Sequence, residues 1–347
     1  MTPLQKIIDE IIASEGPMPI DRYMGLCLGH PAHGYSMTRD PLGEQGDFIT
    51  APEISQMFGE LVGVWCATAW AAMGKPVHFD LVELGPGRGT LMADILKAAK
   101  AMPGFREAAK VHLVEMSPTL RKIQRDVLDG QVTWHDAFAD VPESPTVLVA
   151  NEFFDAIPIR QFEKRDRIWF ERCIGADGMG LMPAALDAAQ GMNGDVIEFA
   201  PQRSGIAQEI GQRLAKNSGA ALIIDYGHLE TAPGDTLQAM RDHVYVAVTD
   251  QPGESDITSH VDFEALGKAF VQGGATIYPA ISQRAFLLAM GIEPRAAMLA
   301  AKVDPAQAEV MTRAVARLIG EEEMGKLFKV MVATSPDLAT PYPFGRS

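Results

Sequence analysis

The sequence predicts an α/β fold: an open, mostly parallel, Rossmann-like sheet of seven strands with a helical lead-in and insertions. Three observations predict it. Strand-length apolar runs alternate with segments of helical period between residues 78 and 158. The first of these runs ends in a glycine-dense loop, "ELGPGRGTL". Acidic residues then recur where strands end, at Glu115, Asp136 and Glu152. That edge is where open α/β sheets take their ligands.

Residues 1–75 read as a helical N-terminal region. Leu4, Ile7, Ile8, Ile11 and Ile12 form one stripe of a first helix over 4–13. "MPIDRYMGLCLGHP" gives a second, with Asp21 near its start and Pro31 just past its end. The turn-rich stretch "HGYSMTRDPLGEQGDFITAPE" reads as a loop able to reach an active site. It leads into a long apolar helix, "ISQMFGELVGVWCATAWAAMG", closed by Gly74.

Residues 76–347 read as the core. "HFDLVELG", "KVHLVEMS", "QVTWHDAF" and "TVLVANEFFDAIP" are the first four strands, with helices "TLMADILKAAKAM" and "PTLRKIQRDVL" between the early ones. "IRQFEKRDRIWFERCIGADG" reads as a β-hairpin turning at Arg165-Asp166, and 175–203 as loop, so an insertion covers about 159–205. The core resumes with the helix "GIAQEIGQRLAKNSG" and the strand "AALIIDYG". A second insertion spans about 226–320 and begins irregularly over 226–262. Helices follow in "DFEALGKAFVQGG", "QRAFLLAMGI" and "PAQAEVMTRAVARLIG", and strands in "ATIYPAIS" and "GKLFKVMVATS".

Bulk properties narrow the function. A net charge of −15 and the lack of a Lys/Arg run argue against nucleic acid as partner. The charge suits a basic peptide, a cationic small molecule or another protein, or it only keeps the chain soluble. The three cysteines, Cys27, Cys66 and Cys173, lie far apart, which suggests a reducing compartment. His30 and His33 flank Pro31 without nearby Cys or acid ligands, so no metal is expected. No apolar run reaches membrane-spanning length. The N-terminus shows neither signal-peptide nor transit-peptide character, so a cytoplasmic location, bacterial or archaeal in style, or an already processed form is expected.

The glycine loop carries the first functional signal. A dinucleotide fingerprint, G-x-G-x-x-G, would use Gly85 and Gly87 but finds Thr90 in its third place. Gly89 makes the pattern G-x-G-x-G, and Pro86 removes an N–H that a pyrophosphate cradle would want. With Glu83 at its root, the loop suits a cation better than a diphosphate. Glu115, with Met116 beside it, stands thirty residues after Gly85 at the next strand end. It reads as an acceptor for both ribose hydroxyls of an adenosine, or as a surface acid. Asp136 and the Ala137 backbone could meet an adenine amino group, although Asp136 could equally cap a helix.

"NEFFDAIP" sets Glu152 and Asp155 among Phe153, Phe154, Ile157 and Pro158. Acids in apolar surroundings are paired, hydrogen-bonded or neutral. Two of them could clamp a guanidinium in bidentate geometry and accept its proton. Loop capping and pairing with Arg160 or Arg165 is the other reading. The two phenylalanines could exclude water and stack on a planar group, or simply be core.

The stretch Glu83-Leu84-Gly85-Pro86-Gly87-Arg88-Gly89 resembles the first motif of class I S-adenosylmethionine (SAM) methyltransferases. "GDFITAPEISQMFGE", "ELGPGRGTLM", "NEFFDAIPIRQF", "IIDYG", "HVDF" and "GKLFKVM" occur along the chain in that order. Together they resemble the MidA-like family of SAM-dependent methyltransferases across nearly the whole chain. The resemblance implies a class I methyltransferase sheet with SAM as cofactor. It also implies arginine methylation of a protein substrate, the large quinone-side subunit of respiratory complex I, during assembly. Gly85, Gly87, Gly89 and Glu115 would hold SAM. Asn151, Glu152 and Asp155 would line the methyl-transfer site. Thr50 and Glu53 would reach the pocket from the lead-in. Two alternatives stand beside this reading: a methyltransferase for a small amine or other acceptor, and a non-catalytic assembly factor that binds SAM. An NAD-dependent oxidoreductase is disfavoured by Pro86 and Thr90.

Overall fold

The computed structural model describes residues 1–39, 50–128, 130, 132–184, 186 and 191–345. Of the expected loop over 33–53, residues 40–49 lie outside these residues. Within them, its ends form the short helices Tyr35–Thr38 and Ala51–Ile54.

The chain forms two compact units. One comprises Ile49–Phe154, Gly205–Leu229 and Val261–Ser347. At its centre is a sheet of β1 (Phe79–Leu84), β2 (Ala109–Val114), β3 (Val132–His135), β4 (Thr146–Asn151), β5 (Gly219–His228), β6 (Val261–Asp262), β7 (Thr276–Ser282) and β8 (Phe328–Thr334). The order is β7-β8-β5-β4-β1-β2-β3, with the two-residue β6 added beside the end of β5. The seven expected strands are all present, but among the described residues the sheet has eight. β6 is too short to leave a periodic signal. β1 to β5 pair in parallel, whereas β8 runs antiparallel to β5 and β7.

These central strands read as near-continuous apolar runs because both faces are covered. Leu81, Val111, Leu113, Val147, Val149 and Leu222 belong to one core. Val82, Leu84, Val114, Leu148 and Ala150 belong to the other. The strand alternation therefore sorts successive residues to opposite faces. The first core is roofed by the helix Gln56–Ala72, whose Ser55 cap accepts from the Met57 N–H. The helix Thr90–Ala98 packs on it closely enough that a Cβ on Gly63 would stand 2.9 Å from the Ala98 Cβ and the Ile95 Cα.

The sheet reverses direction at β1: β2 and β3 lie to one side, β4 and β5 to the other. Register aligns Leu84 with Val114 and with Ala150, so the strands end together. The crevice beyond β1 and β4 is the topological switch point, the usual ligand site of such sheets.

The other unit comprises Met1–Phe48, Asp155–Ser204 and Glu230–His260. The first two helices run over Pro3–Glu15 and Ile20–Gly29, and the hairpin turns at Asp166 and Arg167, both at positive φ. The stretches 175–203 and 226–262, expected as loop and irregular chain, instead carry strands. Gly178–Pro183 and Val196–Phe199 join the hairpin sheet, and Met18–Pro19 pairs with its second strand. Gln238–Arg241, Val244–Val246 and Asp256–Thr258 make a three-stranded sheet. Their core joins Leu4, Ile8, Met24, Cys27, Ile159, Ile174 and Ile257. Arg203, 4% exposed, ties the unit internally by donating to the carbonyls of Asp155, Ile157 and His260 and to the Ser259 hydroxyl.

Candidate active site

β1 delivers the glycine loop. Gly85, Gly87 and Gly89 all have positive φ, at 60°, 51° and 84°. The Gly85 N–H donates to the Val114 carbonyl at 3.0 Å, which pins the start of the loop to β2. A Cβ at Gly85 would lie 2.9 Å from the Phe153 ring, so this position needs glycine for both backbone and space. Gly89 caps the helix Thr90–Ala98 in the left-handed conformation, and its N–H donates to the Pro86 carbonyl.

Glu83 is the penultimate residue of β1, just before the loop, and is 2% exposed. Burial, then the nearby Glu115 charge, push its carboxyl up to about 8. Its Oε2 has no hydrogen-bond partner among the described residues. Asn151, at the end of neighbouring β4, likewise keeps a buried, unpartnered Oδ1. Alternation puts both residues on the same side of the sheet. Two buried acceptors without donors beside a glycine loop are costly unless a ligand supplies the donors. A cofactor carrying an ammonium, a sulfonium and hydroxyls meets that need, so these residues fit SAM.

At the end of β2, Glu115 Oε1 accepts from the Ser117 N–H at 2.7 Å. Burial raises its carboxyl to about 6. Met116 beside it is exposed. Asp136 is exposed and accepts from Arg121 at 2.6 Å, while Arg121 Nε also donates to the Glu115 carbonyl. Ala137 is the residue that caps the short turn Phe138–Asp140, and its N–H donates to Asp140 at 3.2 Å. Neither Asp136 nor the Ala137 N–H therefore stands idle.

Beyond β4, Glu152 adopts a φ of 50°, strained for a residue with a side chain. Its Oε1 accepts from Asn151 Nδ2 at 3.0 Å and from the Ala51 N–H at 3.1 Å. Its own N–H donates to the Ile224 carbonyl at 2.9 Å. Thr50 caps the helix Ala51–Ile54, and the Glu53 N–H donates to its carbonyl. The Glu53 carboxylate accepts from the Thr90 hydroxyl and stands 3.8 Å from Arg88. Glu53, expected to reach the pocket from the lead-in, thus binds the far end of the glycine loop.

Of the two readings of Phe154, at the substrate or in the core, the structure shows the second: it has no exposed surface and packs in the core. Its N–H donates to buried Asp225 at 3.0 Å, which fixes the bend of the loop. The ring beside the glycine loop is Phe153, stacked edge-on against Phe154 at 5.2 Å. Asp155 lies in the other unit and accepts from the Ala156 N–H at 2.8 Å. Arg160 pairs with Glu171 and Arg165 with Glu163.

Two residues were missed. Asp225 was signalled only by the acid in "IIDYG". Gln124 was signalled by position: it falls four residues after Leu120 on the buried stripe of an otherwise polar helix.

Comparison with known proteins shows the family of the chain. A family model described as "Putative S-adenosyl-L-methionine-dependent methyltransferase" matches residues 61–280. The mouse mitochondrial protein arginine methyltransferase NDUFAF7 is 37% identical, with 94% of this chain and 83% of that protein covered. The human protein of the same name is 35% identical, covering 94% and 82%. A crystal structure of a candidate methyl transferase from Burkholderia thailandensis bound to S-adenosyl-homocysteine superposes with a TM-score of 0.85 at 31% identity. That match covers 99% of this chain and 95% of the other. The chain uses SAM as its cofactor and belongs to this family of S-adenosyl-L-methionine-dependent methyltransferases.

Proposed function

We propose that this methyltransferase transfers methyl groups to an arginine side chain of a protein. The observation that carries the reading is Glu152: a carboxylate on strained backbone at the switch point, oriented by two N–H donors. Strain held this firmly by its surroundings is a mark of a working residue. The names of the mouse and human relatives support arginine as the acceptor.

When bound, SAM supplies an electrophilic methyl group. The chain's own residues do the rest. Glu83 and Asn151 offer the unpaired acceptors that hold the cofactor, and the glycine loop lets its backbone come close. Glu152 accepts N–H bonds from the incoming guanidinium, localises its charge and takes the proton that must leave. Phe153 covers the loop against water. For Asp155, the role of second acid at the acceptor rests on the sequence alone. The resemblance to MidA-like proteins points to the quinone-side subunit of complex I as the substrate. Three buried free thiols, Cys27, Cys66 and Cys173, support a reducing compartment, for which we propose a bacterial cytoplasm. No described helix is long and apolar enough to cross a membrane.

The test is methyl transfer to the purified acceptor, read by mass spectrometry. Glu152→Ala is expected to lose at least ~100-fold in rate, with affinity for S-adenosyl-homocysteine kept within a few-fold. Asp155→Ala is expected to behave similarly. Full activity in both variants would overturn the clamp.

A further inference from the structure

Gln124 has no exposed surface, yet it is polar and sits in the helix Pro118–Val127, which follows β2. Every part of its amide is engaged. Its Oε1 accepts from the Trp134 indole N–H at 2.7 Å. Its Nε2 donates to the Gly87 carbonyl at 2.7 Å and approaches Glu115 Oε2 at 3.4 Å. An indole nitrogen can only donate, so Trp134 dictates which end of the amide is which. The amino end then has to face the glycine loop and the acid. One side chain on one helix thereby joins three elements: the loop after β1, the acid after β2, and β3. A Cβ on Gly89 would meet Gln124 Cγ at 3.4 Å, so the loop and this side chain are in direct contact as well.

We propose that Gln124 is a positioning residue for the cofactor's ribose. It holds the Glu115 carboxylate in the rotamer that accepts the two hydroxyls, and it keeps the glycine loop in register with that acid. The inference rests on the reading of Glu115 as the ribose acceptor. The Glu115 carboxylate is held from both sides: Ser117 N–H takes Oε1 and Gln124 steadies Oε2. Arg121 fixes the same residue through its backbone carbonyl at 2.6 Å. A carboxylate constrained in this way discriminates a diol from a lone hydroxyl, because the second hydroxyl finds an acceptor already aimed at it.

The test is calorimetric titration with S-adenosyl-homocysteine and with its 2′-deoxyribose analogue. The readout is the ratio of the two affinities, which a loss of general stability would not change. The wild-type protein is expected to prefer the intact ribose by ~10-fold or more. Glu115→Ala is expected to bring the ratio close to one. Gln124→Met, similar in volume but unable to donate, is expected to lower it to within ~2-fold of one. Gln124→Glu, which presents acceptors where donors are needed, is expected to do the same and serves if the methionine variant does not fold. If Glu115→Ala keeps the wild-type preference, the ribose reading of Glu115 fails and the proposal falls with it. If Glu115→Ala loses the preference while both Gln124 variants keep it, the acid stands and the role of Gln124 is wrong.

Discussion

At Gly85 the backbone turns with a φ of 60° and the Phe153 ring closes over it. A side chain there meets two costs. The left-handed conformation costs about 1–2 kcal/mol for an L-residue, and the ring must shift to admit a Cβ. Gly85→Ala is expected to lower the unfolding free energy by at least that amount in urea titration and to weaken S-adenosyl-homocysteine binding; wild-type values for both would contradict this. Glu83 makes a pH prediction. Its folded carboxyl titrates near 8, above its ordinary 4.5, because burial and Glu115 disfavour the charge. The folded chain therefore binds more protons than the unfolded chain between those values, and stability falls as pH rises through that window. Glu83→Gln cannot ionise and removes this slope. Urea unfolding at pH 5 and pH 8 is expected to show a wild-type loss of a few kcal/mol relative to the variant. Parallel behaviour of the two proteins would show that Glu83 is charged throughout.

Among the elements, the contact between the helices Gln56–Ala72 and Thr90–Ala98 is close enough to test. Gly63 faces backbone atoms of Ile95, its carbonyl oxygen 3.0 Å from a Cβ built at Gly63, and backbone cannot rotate away as a side chain can. Gly63→Val is expected to cost about 2 kcal/mol despite the better helix propensity of valine, seen as a lowered thermal midpoint. An unchanged midpoint would mean that the helices separate without penalty. These elements were legible in the sequence for a physical reason. β1, β2, β4 and β5 are covered on both faces and the helix Gln56–Ala72 on all but the stripe Gln56, Val64, Thr68 and Ala72, so their runs are long and apolar. The strand Gly178–Pro183 is partly exposed throughout and contains two glycines, a methionine pair and a terminal proline. It exists because it pairs with Ile168–Gly175, a partner that no local pattern names. The three strands between 238 and 258 are only three or four residues long and depend on one another in the same way. The helix Ile292–Ala300 was missed because Gly291 and Pro294 look like a break, whereas Gly291 caps it and Pro294 lies in its first turn. At the site, the glycines and Glu152 announced themselves by spacing and by apolar neighbours. Gln124 did not, since its importance comes from three partners remote in sequence.

For the whole molecule, the family membership makes SAM the cofactor, and we place its chemistry at the ends of β1 and β4, the switch point of the sheet. The buried acceptors of Glu83 and Asn151, the strained Glu152 and the clamped Glu115 converge on that one edge. Respiratory-complex subunits purified from cells with and without the gene, compared by intact mass, test the arginine reading most directly. Loss of the gene is predicted to remove about 28 Da, two methyl groups, from the quinone-side subunit of complex I at a single arginine. An identical subunit mass in both strains would contradict it.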